Sequence, residues 1–251
     1  MRWVKQCVAE GLGTFFLCFA AIASILCTWP PIKSGFGLLG IATAQMLALT
    51  VAIQCFSGLS GAHFNPAVTI ALLTTRRIRP ALALAYVLSQ LAAATLAALV
   101  CNMIFPEVPI DDLVLGLPMP ASWTTENSVL SLEFILTFFL MLSYYGTAID
   151  TRGPGMKIGA FGISLSLALG ILIAGSTTGA ALNPARSFGP ALVMQRFDSH
   201  WCYWVAPVVG AILAAQIYEH FLLPEPDAPE VEPLAEKTPW PTPAAPKSNN
   251  S

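Results

Sequence analysis

The sequence predicts an all-α integral membrane protein, with six transmembrane helices plus two half-helices in an inverted repeat. Three observations carry that expectation. The 251 residues are 55 % hydrophobic and only 10 % charged, too apolar for a water-soluble domain. Six tracts, 7–27, 36–57, 81–104, 128–149, 158–175 and 201–223, each hold at most one formal charge. Each is roughly 18–24 residues long, and about 20 helical residues cross a hydrocarbon core. Landmarks also recur at a nearly constant offset. Glu10-Gly-Leu-Gly-Thr14-Phe15-Phe16-Leu17 matches Glu133-Phe-Ile-Leu-Thr137-Phe138-Phe139-Leu140, 123 residues on. Ser60-Gly61-Ala62-His63-Phe64-Asn65-Pro66-Ala67 answers Thr178-Gly179-Ala180-Ala181-Leu182-Asn183-Pro184-Ala185, 118 on, and Tyr86 and Tyr203 head segments 117 apart.

The first tract has features of a signal peptide, with Arg2 and Lys5 ahead of it and Ala21-Ile22-Ala23 near its end. Its length, and the return of its Glu10–Leu17 block in mid-chain where nothing is cleaved, argue for a retained helix. The second tract leads to Asn65-Pro66-Ala67, which reads as a helix start. Asparagine is among the best N-cap residues, and proline is favoured at the first helical position. The segment after this start, Val68–Leu73, is apolar but too short to span. Asn183-Pro184-Ala185 and Arg186–Val193 repeat the arrangement after the fifth tract. Bare backbone cannot face lipid, so both half-helices must be enclosed by the six long ones.

Each copy holds three spans, an odd number, so the second copy crosses the membrane in the opposite sense. The half-helices then enter from opposite faces and meet N-terminus to N-terminus near the midplane. Each N-terminus carries roughly half a positive charge, and each asparagine adds NH2 donors. Gly155, Gly159, Gly162 and Gly170, on or near the fifth span, read as close-packing positions.

Orientation follows from the Lys and Arg residues flanking the spans. One set of loops carries Arg2, Lys5, Arg76, Arg77, Arg79, Arg152 and Lys157; the other carries Lys33, Arg186 and Arg196. The connection 105–127 has Glu107, Asp111, Asp112 and Glu126 and no base. Both termini are therefore expected in the cytoplasm, with the chain in the plasma or inner membrane. The cysteines at 7, 18, 27, 55, 101 and 202 show no metal spacing and read as apolar fillers. From Pro224 prolines recur among acids and small residues, a composition that builds no core. The expected organisation is a channel domain, 1–223 (repeats about 5–104 and 128–223), and a disordered Pro-rich cytoplasmic tail, 224–251.

With these motifs in place, the chain resembles the aquaporin (major intrinsic protein) family over about residues 5–223. Ser60–Thr69 and Asn183–Ala191 carry the resemblance; one Asn-Pro-Ala is an ordinary N-cap, but two at the repeat offset are specific. The resemblance implies a passive channel for water with both NPA motifs, Asn65-Pro66-Ala67 and Asn183-Pro184-Ala185, at its centre. In aquaporin-type pores the positive ends of half-helix dipoles act as a barrier to cations. The resemblance also implies a homotetramer, and no cofactor, metal or nucleic acid. The expected partners are water, small neutral solutes and the bilayer.

Several residues admit two readings. Glu10 and Glu133 inside spans are either an ion relay or acceptors for the backbone N–H groups of the loop ahead of each half-helix. Their duplication favours loop support, and the resemblance implies it. His63 is a pH sensor or a brace beside the pore, and the family analogy makes it a brace. Arg186, alone in an apolar stretch, must face water or a partner. One turn into the second half-helix, it supplies donors and repels cations. Pore-lining backbone is expected at Gly61, Ala62, His63, Gly179 and Ala181, with carbonyls exposed. By distance from the two asparagines the resemblance places a selectivity filter at Gln45, Ile171, Ala180 and Arg186. Strict water channels resemble Phe, His and a small residue at the first three, so this filter is expected to be wider and apolar at Ile171. That pattern is associated with ammonia, urea or dissolved gases, and a broader facilitator, glycerol included, is the alternative function. Ser187, Ala191, Tyr203 and Trp204 instead fit the water-channel pattern. A coupled secondary transporter would need more ionisable groups converging on a site. A junction or scaffold protein would not need the intact Asn pair, and no nucleophile–base pair suggests an enzyme.

Overall fold

The computed structural model describes residues 2–28, 37–105, 114–150, 152 and 158–224, and among them every regular element is helical. In chain order these are α1 (Arg2–Leu26), α2 (Gly37–Ser60), the short α3 (Pro66–Thr74) and α4 (Pro80–Ile104). After a 3-10 turn at Val114–Gly116 come α5 (Glu126–Tyr144), which runs into a π-turn at Tyr145–Ile149, and α6 (Ala160–Ala174). The short α7 (Pro184–Met194) and α8 (Cys202–Ile217), ending in a π-turn at Tyr218–Leu222, complete the described elements. Lys33, Glu107, Asp111, Asp112, Gly155, Lys157 and the tail beyond Pro224 lie outside the described residues.

Among the described residues, five helices are long and apolar enough to cross a membrane: α1, α2, α4, and α5 and α8 with their π-turns. The sixth, α6, has 15 residues, shorter than the tract that predicts it. Gly159 stands as its N-cap at φ 55°, in the left-handed region, and ends the helix there.

The helices are turned inside out relative to a soluble bundle. Val4, Val8, Leu12 and Phe16 form one exposed face of α1 at four-residue spacing, Val4 being 66 % exposed; Leu84 and Leu88 do the same on α4. Alanines fill the interior instead: Ala93, Ala94, Ala97 and Ala98 of α4 are buried. Small residues bring membrane helices close together, and an apolar exterior of this extent suits hydrocarbon rather than water. Cys18, Cys101 and Cys202 lie in apolar clusters as filler.

The two halves interlock. Helix α1 packs on α2 and α4, α5 packs on α6 and α8, and α2 meets α6 between the halves. Each half-helix leans on the last span of the other copy, α3 on α8 and α7 on α4. Gly189 permits the second contact, because a Cβ there would lie 2.4 Å from the Ala94 carbonyl oxygen.

Positive charge gathers on one face of the molecule, the basic face. Arg2, Arg77 and Arg79 line a common recess there. Arg77 Nε reaches Glu219 at 2.6 Å, and Tyr145, stacked on Tyr218, brings its hydroxyl to 3.0 Å from the same carboxylate. Arg152 donates two side-chain bonds to Asp150 and a third, at 2.6 Å, to the Leu222 carbonyl. These ties join the ends of α5 and α8 to the loop after α3.

The Arg152 guanidinium, helped by the Arg152 backbone N–H and the Tyr218 hydroxyl, holds the Asp150 carboxyl down at about 2. A carboxyl held below its unfolded value stabilises above that value, and the contribution disappears as pH falls through the folded one. The unfolding temperature of the detergent-solubilised protein is therefore expected to drop between about pH 4 and about pH 2. Asp150→Asn should lower the neutral-pH value and flatten that part of the acid profile.

Candidate functional site

The two half-helices begin in matching fashion. Asn65 (φ −154°, ψ 120°) and Asn183 (φ −156°, ψ 110°) are extended N-caps followed by proline. Their side-chain oxygens accept from Ala67 N at 2.8 Å and Ala185 N at 3.0 Å. The other end of each amide crosses to the opposite copy. Asn65 Nδ2 donates to the Leu182 carbonyl at 2.8 Å, and Asn183 Nδ2 to the Phe64 carbonyl at 2.9 Å. Each asparagine thus ties down the carbonyl just ahead of its twin. An NH2 group has two hydrogens, so each keeps one beyond this tie.

The loops ahead of the caps turn sharply. Ala62, Phe64, Ala180 and Leu182 have φ between 44° and 55°, and Gly61 and Gly179 lie at 91° and 83°. Buried carboxylates hold this backbone. Glu10 accepts from Ser60 Oγ (2.6 Å), His63 N (2.9 Å), Phe64 N (2.7 Å) and Gln90 Nε2 (2.8 Å). Glu133 accepts from Thr178 Oγ1 (2.7 Å), Ala181 N (3.0 Å) and Leu182 N (2.7 Å). The hydroxyls of Tyr86 and Tyr203 complete the correspondence, donating to the Ser60 and Thr178 carbonyls.

His63 is fixed by its neighbours. Thr69 Oγ1 gives its one hydrogen to the Asn65 carbonyl (3.1 Å), so it accepts from Gln90 Nε2 (3.1 Å) and His63 Nδ1 (3.0 Å). The arrangement that uses all three contacts puts the proton of neutral His63 on Nδ1 and leaves Nε2 as an acceptor.

A narrow cavity of about 30 Å3 runs beside the paired caps, enough for on the order of two waters in file. Its wall is divided. Gln45, Leu49 and Ile53 of α2, Leu140 and Tyr144 of α5, and Ile163 and Leu167 of α6 supply a mostly apolar side. Asn65, Asn183, His63, Ala62, Ala181 and Arg186 supply the polar one, and neither Glu10 nor Glu133 lines the cavity. Away from the basic face, Gln45 and Arg186 mark the joint with a wider recess of about 240 Å3 that also includes Ile171, Gly116 and Gly179. On the basic face, two recesses of about 360 Å3 each adjoin it, one past His63 and one past Tyr144.

Arg186 is 3 % exposed, and its Nη2 donates to the Gly116 carbonyl at 2.7 Å. Its Nε and Nη1 are buried without a protein partner. A charged donor left so in an apolar span calls for water or solute. Gln45, Arg186 and Ile171 converge on the outer recess, but Ala180 does not: it lines neither that recess nor the central cavity. Ala180 is 2 % exposed, and its N–H donates to Thr178 Oγ1 at 3.0 Å. Among the loop positions, Ala62, His63 and Ala181 line the central cavity, Gly179 the outer recess and Gly61 a basic-face recess. The Gly61 carbonyl accepts the Tyr144 hydroxyl at 2.8 Å, which takes one of its two lone-pair sites.

Sequence reasoning missed the apolar wall and Tyr144. A signal existed for the wall, since Leu49 and Ile53 succeed Gln45, and Leu167 and Ile163 precede Ile171, at steps of four on one helix face. No group of three His, Cys, Asp or Glu side chains suited to a metal lies together among the described residues.

The sequence profile described as Major intrinsic protein matches residues 1–218. Nodulin-26 of Glycine max is 38 % identical over 223 residues, covering 86 % of this chain and 77 % of the relative. Probable aquaporin TIP3-2 of Arabidopsis thaliana is 39 % identical over 237 residues, covering 90 % and 86 %. The X-ray structure of the aquaglyceroporin from Plasmodium falciparum shares the fold, with a TM-score of 0.76 at 24 % identity over 88 % of this chain and 97 % of that one. The chain belongs to the major intrinsic protein family.

Replacing either glutamate by glutamine turns an NH2 toward N–H donors that need an acceptor. Each buried donor left unpaired costs about 1–3 kcal/mol. Glu10→Gln and Glu133→Gln should both lower the unfolding temperature in detergent, with Glu10→Gln, which faces four donors, the more damaging.

Proposed function

We propose that the protein is a passive transmembrane channel that conducts water, and small neutral solutes besides, and excludes protons and ions; a broader facilitator for ammonia, urea, glycerol or dissolved gases is the alternative. One observation carries this reading: Asn65, Asn183 and Arg186, each with N–H groups that no protein acceptor takes up, line a water-width cavity whose opposite wall is largely apolar. A water there turns its oxygen to the two asparagines and its hydrogens away from them. Waters on either side are then oppositely oriented, and no proton passes along the file. Cations meet two half-positive helix ends and the Arg186 charge. At about 4 Å and an effective dielectric of about 20, one unit charge repels another by roughly 4 kcal/mol, about a thousandfold in occupancy.

Glu10 and Glu133 are taken up by loop hydrogen bonds, which leaves little for the ion-coupled site of a transporter. The relative named as a probable aquaporin supports water as the main solute. The departure at Gln45 and Ile171 supports the wider range, with these two and Arg186 as the filter at the outer joint. The proposal extends to a channel domain at 1–223 with a separate tail at 224–251, and to a homotetramer with one passage per subunit. Its arginines argue for a cytoplasmic basic face, at the plasma or inner membrane.

Stopped-flow light scattering of proteoliposomes under water, glycerol, urea and ammonia gradients tests this. Water flux above that of empty liposomes and linear in the osmotic gradient is expected; saturable, gradient-coupled uptake would overturn it. Arg186→Ala should leave water flux present while raising cation leak roughly a hundredfold or more.

A further inference from the structure

At the basic-face end of the passage, Tyr144 breaks the correspondence between the two copies. The repeat offset that pairs Glu10 with Glu133 pairs Ala21 with Tyr144. Both are buried, so the fold accommodates a methyl group at this position in one copy and a phenol ring in the other. In the second copy the ring lines the narrow cavity together with Leu140 and Ile163, and also borders the recess beyond it. Its hydroxyl donates to the Gly61 carbonyl at 2.8 Å, and its ring meets that of His63 edge-on, with centroids 6.1 Å apart at 87°. Its neighbour Tyr145 belongs to a separate contact: its hydroxyl lies 2.9 Å from Thr75 Oγ1 and 3.0 Å from Glu219 Oε2, and its ring stacks on Tyr218.

We propose that Tyr144 is a second selectivity determinant, at the opposite end of the narrow cavity from Arg186, that discriminates against small neutral solutes bearing several hydroxyls. This deepens the channel reading and rests on it. A polyol entering a narrow passage needs acceptors for each hydroxyl it strips of water, whereas a single water needs fewer. The Tyr144 hydroxyl occupies an acceptor on the loop, Gly61 O, and its ring fills space opposite His63. Bulk and the loss of one of that carbonyl's two lone-pair sites act in the same direction, against glycerol and for water. The outer joint at Gln45, Ile171 and Arg186 is then only one of two sieves in series.

The test measures glycerol and water permeability of proteoliposomes carrying the wild type, Tyr144→Phe, Tyr144→Ala and Tyr145→Phe. Phenylalanine keeps the ring and releases the Gly61 carbonyl; alanine, the residue at the matched position, removes both. The glycerol-to-water ratio is expected to rise about tenfold in Tyr144→Ala, equivalent to ~1.4 kcal/mol, and by a smaller factor in Tyr144→Phe. Tyr145→Phe, which alters the anchoring network and not the cavity, should leave the ratio unchanged. An unchanged ratio in both Tyr144 variants, with a wild type that conducts water, would overturn the proposal. So would an equal rise in Tyr145→Phe, which would mark general loosening. Should Tyr144→Ala not fold, Tyr144→Phe decides alone. A folded wild type that conducts no water would instead overturn the channel reading itself.

Discussion

The structure depends on two hydrogen bonds, from the Asn65 amide to the Leu182 carbonyl and from the Asn183 amide to the Phe64 carbonyl. They join two helices that start inside the protein, end to end, where like partial charges would push them apart. One side-chain type does three things at each start. Its oxygen caps the helix, one amide hydrogen binds the other copy, and the second remains for whatever enters the cavity. Serine or threonine, with a single hydroxyl hydrogen, could cap and donate once but would have no hydrogen left for the cavity.

Everything around this joint keeps the backbone in a shape it would not otherwise hold. Four non-glycine residues in left-handed geometry cost on the order of 1 kcal/mol each or more. Buried Glu10 and Glu133 offset this by accepting charge-assisted bonds from the same loops, and those bonds in turn stabilise two carboxylates that lipid alone would reject. The passage results from the same division of labour. Half-helices and loops bring polar groups to one side, while α2, α5 and α6 present an apolar face that offers a permeant few partners and so little to hold it.

Legibility in the sequence tracked how local each signal is. Asparagine followed by proline marks a helix start within three residues, and apolar length marks a span, so the six-plus-two helical architecture could be read directly. Glu10 and Glu133 stood out because a lone acid in an apolar tract demands a partner. Other features were hidden because they need tertiary placement. The Gly116 carbonyl that receives Arg186 comes from a turn 70 residues away. The shortness of α6 depends on one glycine conformation. Tyr144 and Tyr145 look alike in sequence, yet adjacent helical positions point about 100° apart, sending one to the cavity and the other to the α3–α8 seam. Ala180 shows the reverse: counting residues from Asn183 assigns it to the filter, yet it lines neither the central cavity nor the outer recess.

The most direct measurement is cation and water flux through Asn183→Asp in proteoliposomes. Aspartate keeps the capping oxygen, removes the amide tie to Phe64, and sets a negative charge where two positive helix ends converge. If the converging N-termini and asparagine donors exclude cations, the folded variant should leak cations at least about tenfold faster, the equivalent of ~1.4 kcal/mol. A folded Asn183→Asp channel that conducts water and excludes cations as well as the wild type would contradict the account.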